Sequence, residues 1–228
     1  MEVSRAIILA AGFGTRVLPL TKETPKPLLI INKMPLIEYS IKVLNELGIK
    51  EIAVNTHYLK NKISEYLKQK YPKIKIFDEK IILDTGGALV NAREFFLDKY
   101  FLVLNSDTVW QKNYIFKMKA LIDKTINNNF LAGLLLAKKE NSFDKKLKPD
   151  FSIEDNFLTN KKEFIYTGFQ ILNSKLLEGK RAEPFSVKKI WDDCINFNCA
   201  TGEIIDNTFY HATNIEIYEK LKNKNIIF

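Results

Sequence analysis

The chain has 228 residues, 46% hydrophobic and 27% charged, which is enough for one substantial core, and no stretch reads as a linker between domains. Its net charge of +8 comes from basic residues spread along the sequence, only four of them arginine (Arg5, Arg16, Arg93 and Arg181). That spread argues against a nucleic-acid footprint, and no apolar run approaches the roughly 20 residues needed to span a bilayer.

Cys194 and Cys199 are the only cysteines and have no partner pair, so reduced thiols are expected and neither a disulfide nor a zinc site is. The start, Met1-Glu2-Val3-Ser4-Arg5, leads into an apolar run too short for a signal peptide, which makes the cytoplasm the expected location. Ala6 to Leu9 reads as a buried strand that empties into Ala10-Ala11-Gly12-Phe13-Gly14-Thr15-Arg16. Glycines there leave the backbone bare, so peptide N–H groups can hold a polyphosphate, and Arg16 adds a planar cationic fork suited to phosphoryl charge. An ordinary strand-to-loop turn is the alternative, because Val17 replaces the third glycine of the dinucleotide fingerprint and no Walker-type G-K-[ST] follows. Lys26 then stands between Pro25 and Pro27, which are expected to hold its backbone extended and aim its side chain.

Pro35 opens a helical stripe of Leu36, Ile37, Ile41, Val43, Leu44 and Leu47 that Gly48 stops. A strand is expected at Glu51 to Asn55, a helix from about Lys60 to Lys70, and a strand from Lys73 to Phe77. Strands alternating with helices predict a parallel sheet covered on both faces. His57 follows the second strand at the edge where open α/β sheets bind ligands, although a lone histidine without a carboxylate or cysteine partner is more often structural or solvated. Asp84-Thr85-Gly86-Gly87 is a second glycine turn, with a helix expected from Gly87 or Ala88 to Phe96; it is either a plain turn or bare backbone against which a flat base could lie.

Tyr100 to Leu104 is a continuous apolar strand ending in Asn105-Ser106-Asp107, where Asp107 either caps a turn or anchors a hard cation such as Mg2+. A helix is expected at Phe116 to Asn127, a strand at Phe130 to Ala137, and charged irregular chain from Lys138 to Leu158. Phe164 to Leu172 reads as a strand interrupted by Gly168, the mark of a bulge or of close ligand approach. A helix from Ser186 to Phe197 follows, in which the adjacent Asp192 and Asp193 point different ways and so form no acid–base pair. Strands at Ile204-Ile205 and Thr208 to Tyr210 and a helix from Asn214 to Asn223 complete the chain.

Taken together, L-A-A-G-F-G-T-R-V-L-P-L-T-K-E-T-P-K-P-L-L closely resembles the signature of the sugar-1-phosphate nucleotidyltransferases. These enzymes join a nucleoside triphosphate to a sugar 1-phosphate and release pyrophosphate. The resemblance covers essentially the whole chain. It implies one domain over residues 1–228 with a Rossmann-like, GT-A-type fold: a three-layer α/β/α arrangement with a mostly parallel central sheet. It implies a nucleotide site at Ala11, Gly12, Gly14, Thr15, Thr85, Gly86 and Gly87, and a catalytic set of Arg16, Lys26 and Asp107. Asn105 and Gly168 would face the sugar, and Ser106 stands where the family's magnesium motif usually has glycine. The implied partners are UTP or another NTP and a sugar 1-phosphate, with no nucleic acid or membrane, in a monomer or small homo-oligomer.

His211, in Phe209-Tyr210-His211-Ala212-Thr213, stands where much of the family has the aspartate that gives catalytic Mg2+ its second protein ligand. Magnesium prefers oxygen whereas imidazole suits transition metals. His211 therefore acts through water, holds a phosphate, tilts the site towards Mn2+, or marks weak catalysis. Within the family, the length and the late segments Tyr166 to Gln170 and Phe185 to Asp192 look most like the N-acetylmuramate 1-phosphate uridylyltransferases of cell-wall sugar recycling. A guanylyl- or thymidylyltransferase for another hexose or heptose 1-phosphate is the nearest alternative, and a non-catalytic NDP-sugar-binding regulatory subunit is a third.

Overall fold

Apolar runs without alternation bury both faces of a strand, and two of them lie at the centre of the main sheet. The computed structural model describes residues 3–226 and 228; Met1 and Glu2, which open the segment read against a signal peptide, lie outside the described residues. In chain order the strands and α-helices are β1 (Arg5–Leu9), β2 (Ile30–Ile31), β3 (Met34–Pro35), α1 (Leu36–Glu46), β4 (Glu51–Thr56), α2 (Lys60–Lys70), β5 (Lys75–Asp78) and α3 (Asp84–Asn91). They continue with β6 (Tyr100–Asn105), α4 (Ile115–Asn127), β7 (Ala132–Lys138), β8 (Phe151–Glu154), β9 (Phe157–Asn173), α5 (Lys188–Asn196), β10 (Ala200–Ile205) and α6 (Ile215–Lys222).

The main sheet runs β10-β7-β9-β6-β1-β4-β5, with β8 paired to β9. β1 is parallel to both β4 and β6, β4 to β5, and β7 to β10; β9 is antiparallel to its neighbours β6, β7 and β8. Successive side chains of a strand point to opposite faces. Ile8, Leu102 and Leu104 accordingly pack with α1, α2, α4 and α6 on one face, while Ile7, Phe101 and Val103 pack with α3 and α5 on the other. This is the expected Rossmann-like three-layer fold with a mostly parallel sheet. No helix among the described residues is long and apolar enough to cross a membrane.

Four local expectations are corrected. The third predicted strand begins at Lys75 rather than Lys73, and α3 begins at Asp84, so that the T-G-G run lies inside its first turn. Residues 151–158, read as irregular, belong to the β8–β9 hairpin, whose two-residue turn places Asp155 and Asn156 at φ 49° and 73°. Positive φ at both central positions is what the twist of a tight hairpin asks for. Charged residues such as Glu154, Lys161 and Glu163 mask the pattern there. Thr208 to Tyr210 forms no strand: isolated bridges tie Phe209 to Ser142 and His211 to Thr108.

Gly168 marks a bulge. The β7–β9 register shifts between Leu134 and Leu136, and opposite that shift Gly168 has φ 93°. A Cβ there would stand 3.0 Å from the side chain of Asn105. Gly168→Ala is expected to lower stability by about 1–3 kcal/mol through backbone strain and this close approach, read as a reduced urea midpoint; an unchanged midpoint would contradict the account.

Candidate active site

Because β1 lies parallel between β4 and β6, the carboxyl ends of all three open on one edge, where ligands of open α/β sheets bind. The loop after β1 is held there by a polar relay. Ala10 N–H donates to Asn55 Oδ1 (2.8 Å), Asn55 Nδ2 donates to Glu79 Oε1 (2.7 Å), and Leu83 N–H donates to Glu79 Oε2 (3.0 Å). Glu79 is 3% exposed. Burial pushes its carboxyl above the usual glutamate range, against the opposing pull of the Asn55 and Leu83 donors.

The loop also closes on itself. Val17 N–H and Thr21 Oγ1 both donate to the carbonyl of Gly14, at 2.9 Å each, and Tyr58 Oη donates to the carbonyl of Thr21 (2.8 Å). Yet the peptide N–H groups of Gly12, Phe13, Gly14, Thr15 and Arg16 find no acceptor among the described residues. These five residues line a cavity, and unpaired peptide donors on a glycine loop can serve an anion there. Arg16 is exposed, and its guanidinium makes no ion pair or hydrogen bond among the described residues.

Lys26 is not extended as the flanking prolines suggest. Pro25 is extended, with ψ 142°, and Lys26 opens a single 3-10 turn that ends at Leu28. The turn points the side chain inward: Lys26 is 8% exposed, and Nζ donates to Asp107 Oδ2 at 2.6 Å. Asp107 follows β6, and the His211 segment lies alongside it, with Ala212 N–H donating to the Asp107 carbonyl (3.0 Å). His211 Nε2 stands 3.1 Å from Asp107 Oδ2, and this buried nitrogen has no well-aligned hydrogen-bond partner. Burial opposes ionisation of Asp107, but His211 and Lys26 outweigh it and hold the carboxyl well below the usual carboxylate range.

These groups line one cavity of about 390 Å³. Ala11, Gly12, Gly14, Thr15, Arg16, Lys26, Thr85, Asn105 and Asp107 all face it, and His211 joins them through Asp107. Gly168 stays behind Asn105. Gly86 and Gly87 also stand back from the wall: their N–H groups both donate to the carbonyl of Phe185, at 2.8 and 3.2 Å. A Cβ on Gly86 would come within 2.3 Å of the Phe185 ring, and one on Gly87 within 2.1 Å of the Glu183 carbonyl oxygen. In this structure the two glycines seat the segment around Phe185 rather than offer bare backbone to a base. Thr85 adds to that seat by accepting Val187 N–H at Oγ1 (2.9 Å), and it also faces the cavity.

Sequence reasoning missed Asn55, Glu79, Phe13 and Tyr58. An amide ending an otherwise apolar strand and an aromatic between two glycines were available signals; Glu79 carried none. His57 takes the structural role, with Nδ1 3.0 Å from the Glu79 carbonyl oxygen and its ring edge-on to Phe13. No group of three or more His, Cys, Asp or Glu side chains placed to hold a metal ion occurs among the described residues. Asp107 and His211 remain as a convergent carboxylate oxygen and imidazole nitrogen, the latter buried without a partner. Such a pair fits a divalent cation whose other positions are filled by phosphate oxygens and water.

A family model described as Nucleotidyl transferase matches residues 5–143. A choline-phosphate cytidylyltransferase of Streptococcus pneumoniae is 30% identical over 97% of this chain and 100% of its own length. A D-glycero-alpha-D-manno-heptose 1-phosphate guanylyltransferase of Campylobacter jejuni is 40% identical over 46% of this chain and 48% of its own length. Among solved structures, a putative glucose-1-phosphate thymidylyltransferase from Bacillus anthracis superposes with a TM-score of 0.79 over 97% of this chain and 96% of that one, at 18% identity.

The raised pKa of Glu79 gives a sign to pH dependence. The folded state binds this proton more tightly than the unfolded state, so the contribution weakens stability as pH rises from the usual glutamate range, about 4, through the raised value. Glu79→Gln is expected to remove that part of the slope in urea unfolding followed across mildly acidic pH; a slope identical to wild type would refute it.

Proposed function

The chain belongs to the nucleotidyl transferase family, and from that premise we propose that it is a sugar-phosphate nucleotidyltransferase that joins UTP to N-acetylmuramate 1-phosphate in the cytoplasm, forming the UDP-sugar and pyrophosphate in cell-wall sugar recycling. The observation that carries the reaction is the convergence, in one cavity, of five unpaired peptide N–H groups, the Lys26 ammonium and the Asp107 carboxylate.

In this mechanism an oxygen of the acceptor phosphate attacks the α-phosphorus, in line with departing pyrophosphate. The acceptor is already ionised at neutral pH, so no general base is needed. The difficulty is bringing two anions together, and fixed donors and cations answer it. The N–H groups of Gly12 to Arg16 cradle the outer phosphates, and the Arg16 guanidinium takes up charge on the leaving pyrophosphate. Lys26 turns part of its charge from Asp107 to the α-phosphate. Thr85 meets the nucleoside, and Asn105, set by Gly168, meets the sugar; Gly86 and Gly87 act at one remove, by seating the Phe185 segment. Asp107 and His211 would hold the divalent cation, Mg2+ or Mn2+, which supplies neutralisation between the two substrates.

A second reading, CTP with choline phosphate, is favoured by the end-to-end alignment with the pneumococcal cytidylyltransferase. Pyrophosphate release from UTP, CTP, GTP and TTP, each with N-acetylmuramate 1-phosphate, hexose and heptose 1-phosphates and choline phosphate, separates the readings. UTP with N-acetylmuramate 1-phosphate is expected to turn over fastest. A clear preference for CTP with choline phosphate would replace the proposal, and nucleotide binding without pyrophosphate would favour the regulatory reading.

Lys26→Ala and Asp107→Ala are each expected to cut turnover by about 10²–10⁴-fold while the circular dichroism spectrum is retained; near-normal turnover would remove the assigned role. His211→Asp is expected to improve Mg2+ relative to Mn2+ by about tenfold or more, in rate and in competition against Mn2+ followed by electron paramagnetic resonance. An unaltered metal ratio would show that the imidazole does not face the cation.

A further inference from the structure

The cavity differs from end to end. Lys26, Asn105 and Asp107 mark its charged end beside β6, whereas Phe13 and Ile82 belong to the side towards β4 and β5. In the sheet β1 separates β6 from β4, and β5 lies beyond β4, so the two ends fall on opposite sides of the first loop. Phosphate chemistry belongs at the charged end. A nucleoside extending from it reaches the other.

Phe13 is the one aromatic side chain on the cavity wall among the described residues, and it is 46% exposed. A phenyl group left in solvent between two glycines would ordinarily be mobile, but this one is braced. Its ring meets the edge of His57 at 5.8 Å and 85° and tilts against Tyr58 at 5.6 Å and 58°. The braces are themselves fixed, His57 by the Glu79 carbonyl (3.0 Å) and Tyr58 by the Thr21 carbonyl (2.8 Å). Three rings thus hold one apolar surface in place on the side of the cavity opposite the Lys26–Asp107 pair. Neither the peptide cradle nor the ion pair requires such a surface.

We propose that Phe13 is the platform on which the nucleobase of the bound triphosphate lies, with His57 and Tyr58 fixing its angle. This rests on the nucleotidyltransferase reading and adds a binding determinant for the nucleoside part of the ligand. Stacking accepts the face of any base, so Phe13 strengthens nucleotide binding without choosing between pyrimidine and purine. Base choice is left to polar groups nearby.

The test separates the base from the phosphates. The full-length protein and its Phe13→Ala variant are titrated calorimetrically with UTP and, separately, with inorganic tripolyphosphate at fixed metal concentration. Phe13→Ala is expected to weaken UTP about 5- to 100-fold, the range of a lost base–aromatic stack, and to leave tripolyphosphate within about twofold. Phe13→Trp should keep the UTP affinity, and Tyr58→Ala should lose part of it. Equal weakening of both ligands would mean that Phe13 only anchors the loop, and unchanged UTP affinity would mean that the base lies elsewhere. Either result overturns the proposal while leaving the enzyme assignment, which is judged by pyrophosphate release, in place. Wild-type protein that binds tripolyphosphate but no nucleoside triphosphate would overturn both.

Discussion

The 2.6 Å contact between Lys26 and Asp107 joins segments 81 residues apart and sets the electrostatics of the whole edge. Neither partner is fully solvated, so each ion gives up part of its hydration and is held by the other. The result is a cation stored where phosphate charge would arrive, already desolvated and already aimed. A lysine of the same charge on an open surface would have to be ordered and dehydrated during the reaction. Here the turn at Lys26 and the packing around it have done so during folding.

One carboxylate oxygen is shared by two nitrogen groups. Lys26 and His211 both approach Oδ2 of Asp107, and Arg16 faces the same cavity without a partner among the described residues. Asp84 also lines the cavity, so the charges of Lys26 and Arg16 are matched by two carboxylates, and the free N–H groups of the loop are what remains to receive an anion. The carboxylate of Glu79, in contrast, lies behind the loop and is spent on structure: through Asn55 it holds Ala10, and through the Leu83 N–H it holds the start of the segment leading to α3. The two walls of the nucleoside end are thereby fixed to one buried group.

Much of this was legible because glycines, prolines and strand-end polar residues carry local constraints. The loop from Ala10 to Arg16, Lys26 and Asp107 were each marked by their neighbours in sequence, and the sheet brings all of them to one place. What could not be read depends on pairings between distant strands. Glu79 looks like any surface glutamate until β4 and β5 are aligned, and Phe13 looks like a misplaced hydrophobic until His57 and Tyr58 arrive beside it. Gly86 and Gly87 invited a reading as bare backbone, but the partner that fills that space is Phe185, about a hundred positions later in the chain. The β8–β9 hairpin was hidden for a different reason: its outward side chains are charged, so alternation is weak and only the Asp-Asn turn speaks for it.

That hairpin is separated from the site by a break in its own pairing. β9 is a single strand of 17 residues that begins at the Asp155-Asn156 turn and ends between β6 and β7. The β8–β9 register shifts between Phe151 and Ser152, whose partners are Phe164 and Thr159. Gly168 keeps its place beside Asn105 through the pairing of β9 with β6 and β7, on the far side of that break. The break acts as a buffer: lengthening or shortening the solvent-exposed Asp155-Asn156 tip would be absorbed before it reached the acceptor side, so the tip can vary while the register beside Asn105 is kept.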